Sequence, residues 1–195
     1  MLKACLECIA GSRVDNEEVD VSRRMNGSSQ RAPPWPVTQL KNEIMFVLPK
    51  QLSAGDEITV AGNMIDNPQV LTVSLLTGSM SPDYQNIACQ LEASFPANPT
   101  NQNRLLLKVI QNGNDEAVLG DYQSFLATEL FTDLSFKFGF SIRVSRSYQS
   151  EHIIDIYVGE SFLEQITLKH NIDDIRFLSL SGDVAKVEML EFKFA

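Results

Sequence analysis

The chain of 195 residues carries 16 Lys and Arg against 25 Asp and Glu, a formal charge of −9 that repels phosphate backbones and anionic membrane surfaces and argues against a nucleic-acid partner. With 44% apolar and 21% charged residues it has the composition of a globular domain, long enough for one full core.

In chain order, Met1 to Gly11 is mildly apolar but interrupted by Lys3 and Glu7, too short for a membrane span and without the unbroken core of a signal peptide. This predicts a cytoplasmic protein. Cys5 and Cys8 lie close together here, while Cys89 falls in a predicted strand, so the cysteines define no disulfide framework and fit a reducing compartment. A zinc site needs about four ligands, and one C-x-x-C with His152 and His170 far away falls short. No metal and no cofactor is implied. Lipid attachment at Cys5 or Cys8 stays open. From Ser12 to Pro36 the residues are mainly polar and close on Ala32-Pro33-Pro34-Trp35-Pro36, with no apolar period, so residues 1–36 are expected to form a flexible tail. Trp35, at the expected domain boundary, is read as capping the edge of the core. Asn26-Gly27-Ser28 matches a glycosylation acceptor, but a chain without a signal peptide does not meet that machinery.

From Val37 to Ala195 the pattern changes to short runs of Val, Ile, Leu and Phe separated by turns such as Ala54-Gly55-Asp56, Asp66-Asn67-Pro68, Asn112-Gly113-Asn114 and Ser181-Gly182-Asp183. Strands are predicted at Ile58 to Gly62, Val70 to Leu76, Ile87 to Phe95 and Leu105 to Gln111. The clearest follows: Leu134, Phe136, Phe138, Phe140, Ile142 and Val144 alternate with Ser135, Lys137, Gly139, Ser141 and Arg143, so one face is core and the other wet. Further strands are read at Ile153 to Val158, Ile175 to Leu180 and Val187 to Phe194. Many short strands without interleaved helices predict an all-β sandwich or barrel, with no internal repeat.

The order of landmarks from Leu48 onward, roughly three quarters of the chain, resembles the galectin family. Leu52-Ser53-Ala54-Gly55-Asp56-Glu57-Ile58-Thr59-Val60-Ala61-Gly62 is similar to its opening Gly-Asp motif, and Val70 to Gly78 to its next strand. Asn86 to Phe95 sits where members carry Asp-Ile-Ala-Leu-His-Phe-Asn-Pro-Arg-Phe. Ile154 to Val158 with Gly159 to Ile166 is similar to the strand, turn and strand around Val-Asn-Gly, and Ile175 to Val184 to the closing motif ending in Gly-Asp. The resemblance implies a galectin-like jelly-roll β-sandwich of two antiparallel sheets that binds β-galactosides or related glycans.

The resemblance also locates a site. Galectins hold the sugar with a His, an Asn and an Arg at alternate positions of one strand, which share a face; those positions fall on Gln90, Glu92 and Ser94, and the Asn expected on the next strand falls on Lys108. The stacking Trp of the family would fall near Asp115 and Glu116, where the chain has none. Aromatic rings anchor apolar sugar faces, so specificity is expected to be altered or weakened; Tyr122 or Phe125 could supply a ring, though each suits a core or rim position. The bland reading of Gln90, Glu92 and Ser94 is a solvated sheet face. Leu106 and Ile110 alternate with Leu105, Leu107 and Val109, so the face carries apolar residues suited to a protein partner or to cover by the tail or a nearby loop.

Two functions compete: a lectin-like module binding glycans or glycoproteins through Gln90, Glu92, Ser94, Lys108, Asp115 and Glu116, and a galectin-fold interaction module that has lost sugar binding. A glycosidase would need two carboxylates, such as Glu92 and Glu116, flanking one bond with one pKa raised; no Ser or Cys has a nearby His, and binding rather than catalysis is expected. Homodimerisation and non-classical export are implied by the resemblance alone.

Overall fold

The computed structural model describes residues 42–95, 104–122, 131, 134–145 and 151–195, with 117–122 described for the backbone alone. The expected tail at 1–36, the domain start at Val37, Trp35, Cys5, Cys8, Phe125 and the side chain of Tyr122 lie outside the described residues.

The described residues form β1 (Ile44–Val47), β2 (Glu57–Met64), β3 (Val70–Thr77), β4 (Asp83–Ser94), β5 (Arg104–Gln111), β6 (Asn114–Tyr122), β7 (Ser135–Val144), β8 (His152–Val158), β9 (Ser161–Thr167), β10 (Ile175–Gly182) and β11 (Val184–Lys193), with one 3-10 turn at Ile172–Asp174. They pair antiparallel into a six-stranded sheet, β1-β10-β3-β4-β5-β6, and a five-stranded sheet, β11-β2-β7-β8-β9. This is the predicted two-sheet sandwich. No helix among the described residues is long and apolar enough to cross a membrane.

Alternation dictates which side chains meet between the sheets. The six-stranded sheet contributes Leu71, Val73 and Leu75 from β3, Cys89, Leu91 and Ala93 from β4, and Leu105, Leu107 and Val109 from β5. Ile58 and Val60 of β2, Phe136, Phe138, Phe140 and Ile142 of β7, and Ile154, Ile156 and Val158 of β8 answer them. Fully burying one such large side chain contributes about 1.5–3 kcal/mol. Cys89 is one of these core groups, and burial pushes its thiol up, which leaves it unreactive.

The eight strands read from the sequence are all present. Two more, β1 and β6, escaped periodicity for a physical reason. Both lie at edges of the six-stranded sheet and pair on one side only, β1 has four residues, and β6 opens on Asn114-Asp115-Glu116, residue types depleted in strands. The remaining strand, β9 at an edge of the five-stranded sheet, is implied by the family resemblance.

Two of the Gly-Asp pairs of the sequence, Gly55-Asp56 and Gly182-Asp183, are corner brackets. Asp56 is fully buried, and its carboxylate accepts the Ser53 N–H (2.8 Å), the Ser53 hydroxyl (3.1 Å), the Lys50 ammonium (3.1 Å) and the N–H of Ala195 (3.1 Å). Burial by itself raises this carboxyl, but the bonds from Ala195, Ser53 and Lys50 outweigh it and hold the group below the ordinary range. Gly55 has φ +97, and a Cβ there would sit 2.5 Å from that of Ala195, so the corner needs glycine. At the other bracket the Asp183 carboxylate accepts the N–H groups of Gln69 (2.6 Å) and Val70 (3.0 Å), while Gly182, at φ +90, passes so close that a Cβ would lie 2.4 Å from the Val70 carbonyl oxygen.

Candidate functional site

Residues directly opposite in an antiparallel ladder share a face, so the register of the six-stranded sheet sorts its outer side chains into rows. One row runs Val47, Phe177, Leu76, Ile87, Ile110. The next runs Met45, Ser179, Ser74, Gln90, Lys108, and the third Ser181, Thr72, Glu92, Leu106. The last places Val70, Ser94 and Arg104 side by side.

Beyond the exposed Val47, the first row is closed. Leu76, Ile87, Ile110 and Phe177 form a small buried cluster against which Met45 and Tyr84 pack. The Tyr84 hydroxyl donates to the Glu43 carboxylate, and burial followed by this carboxylate keeps the phenol protonated far above its ordinary range. Ile110, one of the two apolar residues expected to mark a docking patch, is thus buried in a cluster closed by Met45 of β1 and by Tyr84 at the start of β4; Leu106 stays half-buried in the third row.

The middle row is internally satisfied. Gln90 is 8% exposed and its Nε2 donates to the Ser74 hydroxyl at 3.1 Å. The Lys108 ammonium lies 3.3 Å from an Asp115 carboxylate oxygen, Asp115 standing opposite Ile110 and therefore on the same face. Glu116 does not join them. It stands opposite the core residue Val109, on the other side of the sheet, and its carboxylate accepts from Lys169. Glu92 and Glu116 therefore project to opposite faces and do not flank a common bond.

What remains available is the strip Glu92, Ser94 and Arg104, with Lys108 beside it. Glu92 is half-buried between Thr72 and Leu106, and its carboxylate has no hydrogen-bond partner among the described residues. Arg104 is exposed and directly opposite Ser94. Sequence reading passed over it, because the family's arginine was sought on β4 itself. The signal was the strand-breaking stretch Pro96 to Asn103, which makes the first residue of β5 the partner of the last of β4. The strip offers a carboxylate acceptor, a hydroxyl and a forked guanidinium around apolar Leu106, with the Asp115-paired ammonium of Lys108 beside them, groups suited to sugar hydroxyls. No group of three or more potential metal-ligating side chains occurs among the described residues.

No protein-family model and no curated protein matches the chain. Among solved structures, sheep galectin-11 in complex with glycerol matches with a TM-score of 0.55 and 12% identity over 79% of this chain and 99% of that one. The Caenorhabditis elegans galectin LEC-6 matches with a TM-score of 0.56 and 11% identity over 79% of this chain and 92% of that one. Xenopus laevis galectin-Ib gives 0.53 and 12% over 77% and 99%. Two antiparallel sheets in this order, and these neighbours, establish that the chain has a galectin-like fold.

Proposed function

We propose that the protein is a galectin-type glycan binder of altered specificity, whose contact strip is Glu92, Ser94, Arg104 and Lys108. The observation that carries this reading is the Ser94–Arg104 pairing. It returns a guanidinium to the end of the β4 strip, supplied from the neighbouring strand, next to the unpartnered carboxylate of Glu92. Arginine presents fixed donors and carboxylate accepts, so together they suit a ligand dense in hydroxyls. In this reading the protein works as a binder rather than a catalyst, in the cytoplasm or after non-classical export.

A glycan-array screen of the full chain, followed by calorimetric titration with lactose and with any array hit, tests it. Saturable binding abolished in Glu92→Ala and in Arg104→Ala is the expected outcome. A folded protein that binds no glycan at millimolar ligand would sink the reading. It would favour the second one, a protein-binding module, for which the self-satisfied Gln90 and the tethered ring of Tyr84 already speak.

A further inference from the structure

The chain joins the six-stranded sheet at a defined place. Ile44 of β1 stands opposite Leu180, so the residues just before it arrive level with the row Ser181, Thr72, Glu92, Leu106. They arrive on the outer side. The Glu43 carboxylate accepts the Tyr84 hydroxyl, and Tyr84 packs with Met45 against the outer apolar cluster. Asn42, at φ 68, turns the backbone there and ends the extended line of β1.

The residues that lead to this point differ from the domain in charge. Residues 21–42 carry Arg23, Arg24, Arg31 and Lys41 and no Asp or Glu, whereas 43–195 carry 10 Lys and Arg against 20 Asp and Glu. Opposite net charge on one chain draws the segment to the domain surface. What it brings there is apolar: Pro33-Pro34-Trp35-Pro36, prolines whose φ is fixed before docking, so that little chain entropy is lost, around a large ring with one N–H donor. The reach is matched. Trp35 stands seven residues before Asn42, at most about 25 Å of extended chain, and Leu106 on β5 lies four strand spacings from β1, about 19 Å. There the half-buried Leu106 offers an apolar seat, and Glu92 directly opposite it offers a carboxylate that no described residue engages.

We propose that Pro33 to Pro36 fold back over the outer face of their own chain, with the Trp35 ring on Leu106 and its N–H donating to the Glu92 carboxylate. The segment is then a strap across the strip assigned above to glycans, which a glycan has to displace; that consequence rests on the glycan reading, while the contact itself does not. Trp35 is the only tryptophan, so its fluorescence in the full chain reads the contact with no ligand present, and failure of the contact is told apart from failure of the glycan reading. The expected result is an acrylamide quenching constant at least about threefold below that of a synthetic peptide of residues 29–41, as burial of the indole requires. It should rise to the peptide's value in Leu106→Asp and part of the way in Glu92→Ala. Quenching in the unaltered chain equal to the peptide's overturns the proposal. Protection that Leu106→Asp leaves unchanged also overturns it and moves the ring to the edge of the core, or, where protection grows with protein concentration, to a second copy of the chain. Should Leu106→Asp fail to fold, amide-resolved NMR of Trp35→Ala against the unaltered chain decides: shifts at Glu92, Ser94 and Leu106 are expected, and amides unmoved there overturn the contact.

Discussion

The two Gly-Asp brackets and the outer face of the six-stranded sheet are built from similar polar residues but do opposite things. At the brackets, carboxylates turn inward to backbone N–H groups: Asp56 ties Ala195 to the loop before β2, and Asp183 ties β10 to the start of β3. On the outer face, side chains answer one another across strands, as Gln90 does with Ser74 and Lys108 with Asp115. Polar residues that organise backbone define the fold, whereas polar residues that face other side chains define what the fold can bind. The sequence motifs that suggested galectins are mostly of the first kind, and so they carry the architecture without carrying the sugar specificity.

The largest expected effect breaks a bracket. Asp56→Ala leaves the N–H groups of Ser53 and Ala195 without their buried acceptor and frees Lys50, which also lies 4.4 Å over the Phe194 ring. A loss of about 2–4 kcal/mol in denaturant-unfolding stability is expected from two orphaned donors. The sign of its pH dependence follows: a carboxyl whose folded pKa is depressed contributes stability that is present above its unfolded value and lost as pH falls through the folded one. Asp183→Ala, at the less buried bracket, should cost about 1–3 kcal/mol, since it removes the acceptor of two backbone donors closer to solvent. Denaturation midpoints unmoved in both variants would show that the brackets are decorative.

A smaller effect sharpens the other side of the comparison. Gln90→Ala should cost about 1 kcal/mol by stranding the Ser74 hydroxyl in a nearly closed row. Glu92→Ala should leave stability within about 0.5 kcal/mol while removing glycan binding. A Gln90→Ala variant that loses glycan binding at unchanged stability would reverse these roles and make Gln90 a ligand group.

The unequal legibility of fold and site has the same origin. Core strands such as Phe136 to Ile142 declare themselves because alternation is a local property of the chain. Gly55-Asp56 and Gly182-Asp183 declare themselves because a left-handed glycine and an adjacent acceptor are needed at a fixed spot. The face is written in register instead. Ser94 and Arg104 are partners only once β4 and β5 pair, and Glu116 leaves the candidate group only once β6 is known to set it opposite Val109. A one-residue slip would exchange the faces, so no reading along the strand alone could decide which candidates share one. Six residues were drawn from the family alignment; the register keeps Gln90, Glu92, Ser94, Lys108 and Asp115 on one face, sets Glu116 on the other and adds Arg104.

The smallest expected effect concerns neither bracket nor strip but the segment between β9 and β10 that carries His170. Desolvation lowers the imidazole pKa, with a backbone contact at Ile110 and the charges of Asp83 and Asp174 pulling the other way. The unfolded chain therefore binds more protons here than the folded one as pH falls below the ordinary histidine value of about 6.5. Folding stability must then decline with acidification from that pH until the folded pKa is passed, after which this group adds no further loss. In His170→Gln the decline over that window should flatten, as read from urea midpoints across a pH series. An unchanged slope would mean that this segment opens to let the ring keep its water.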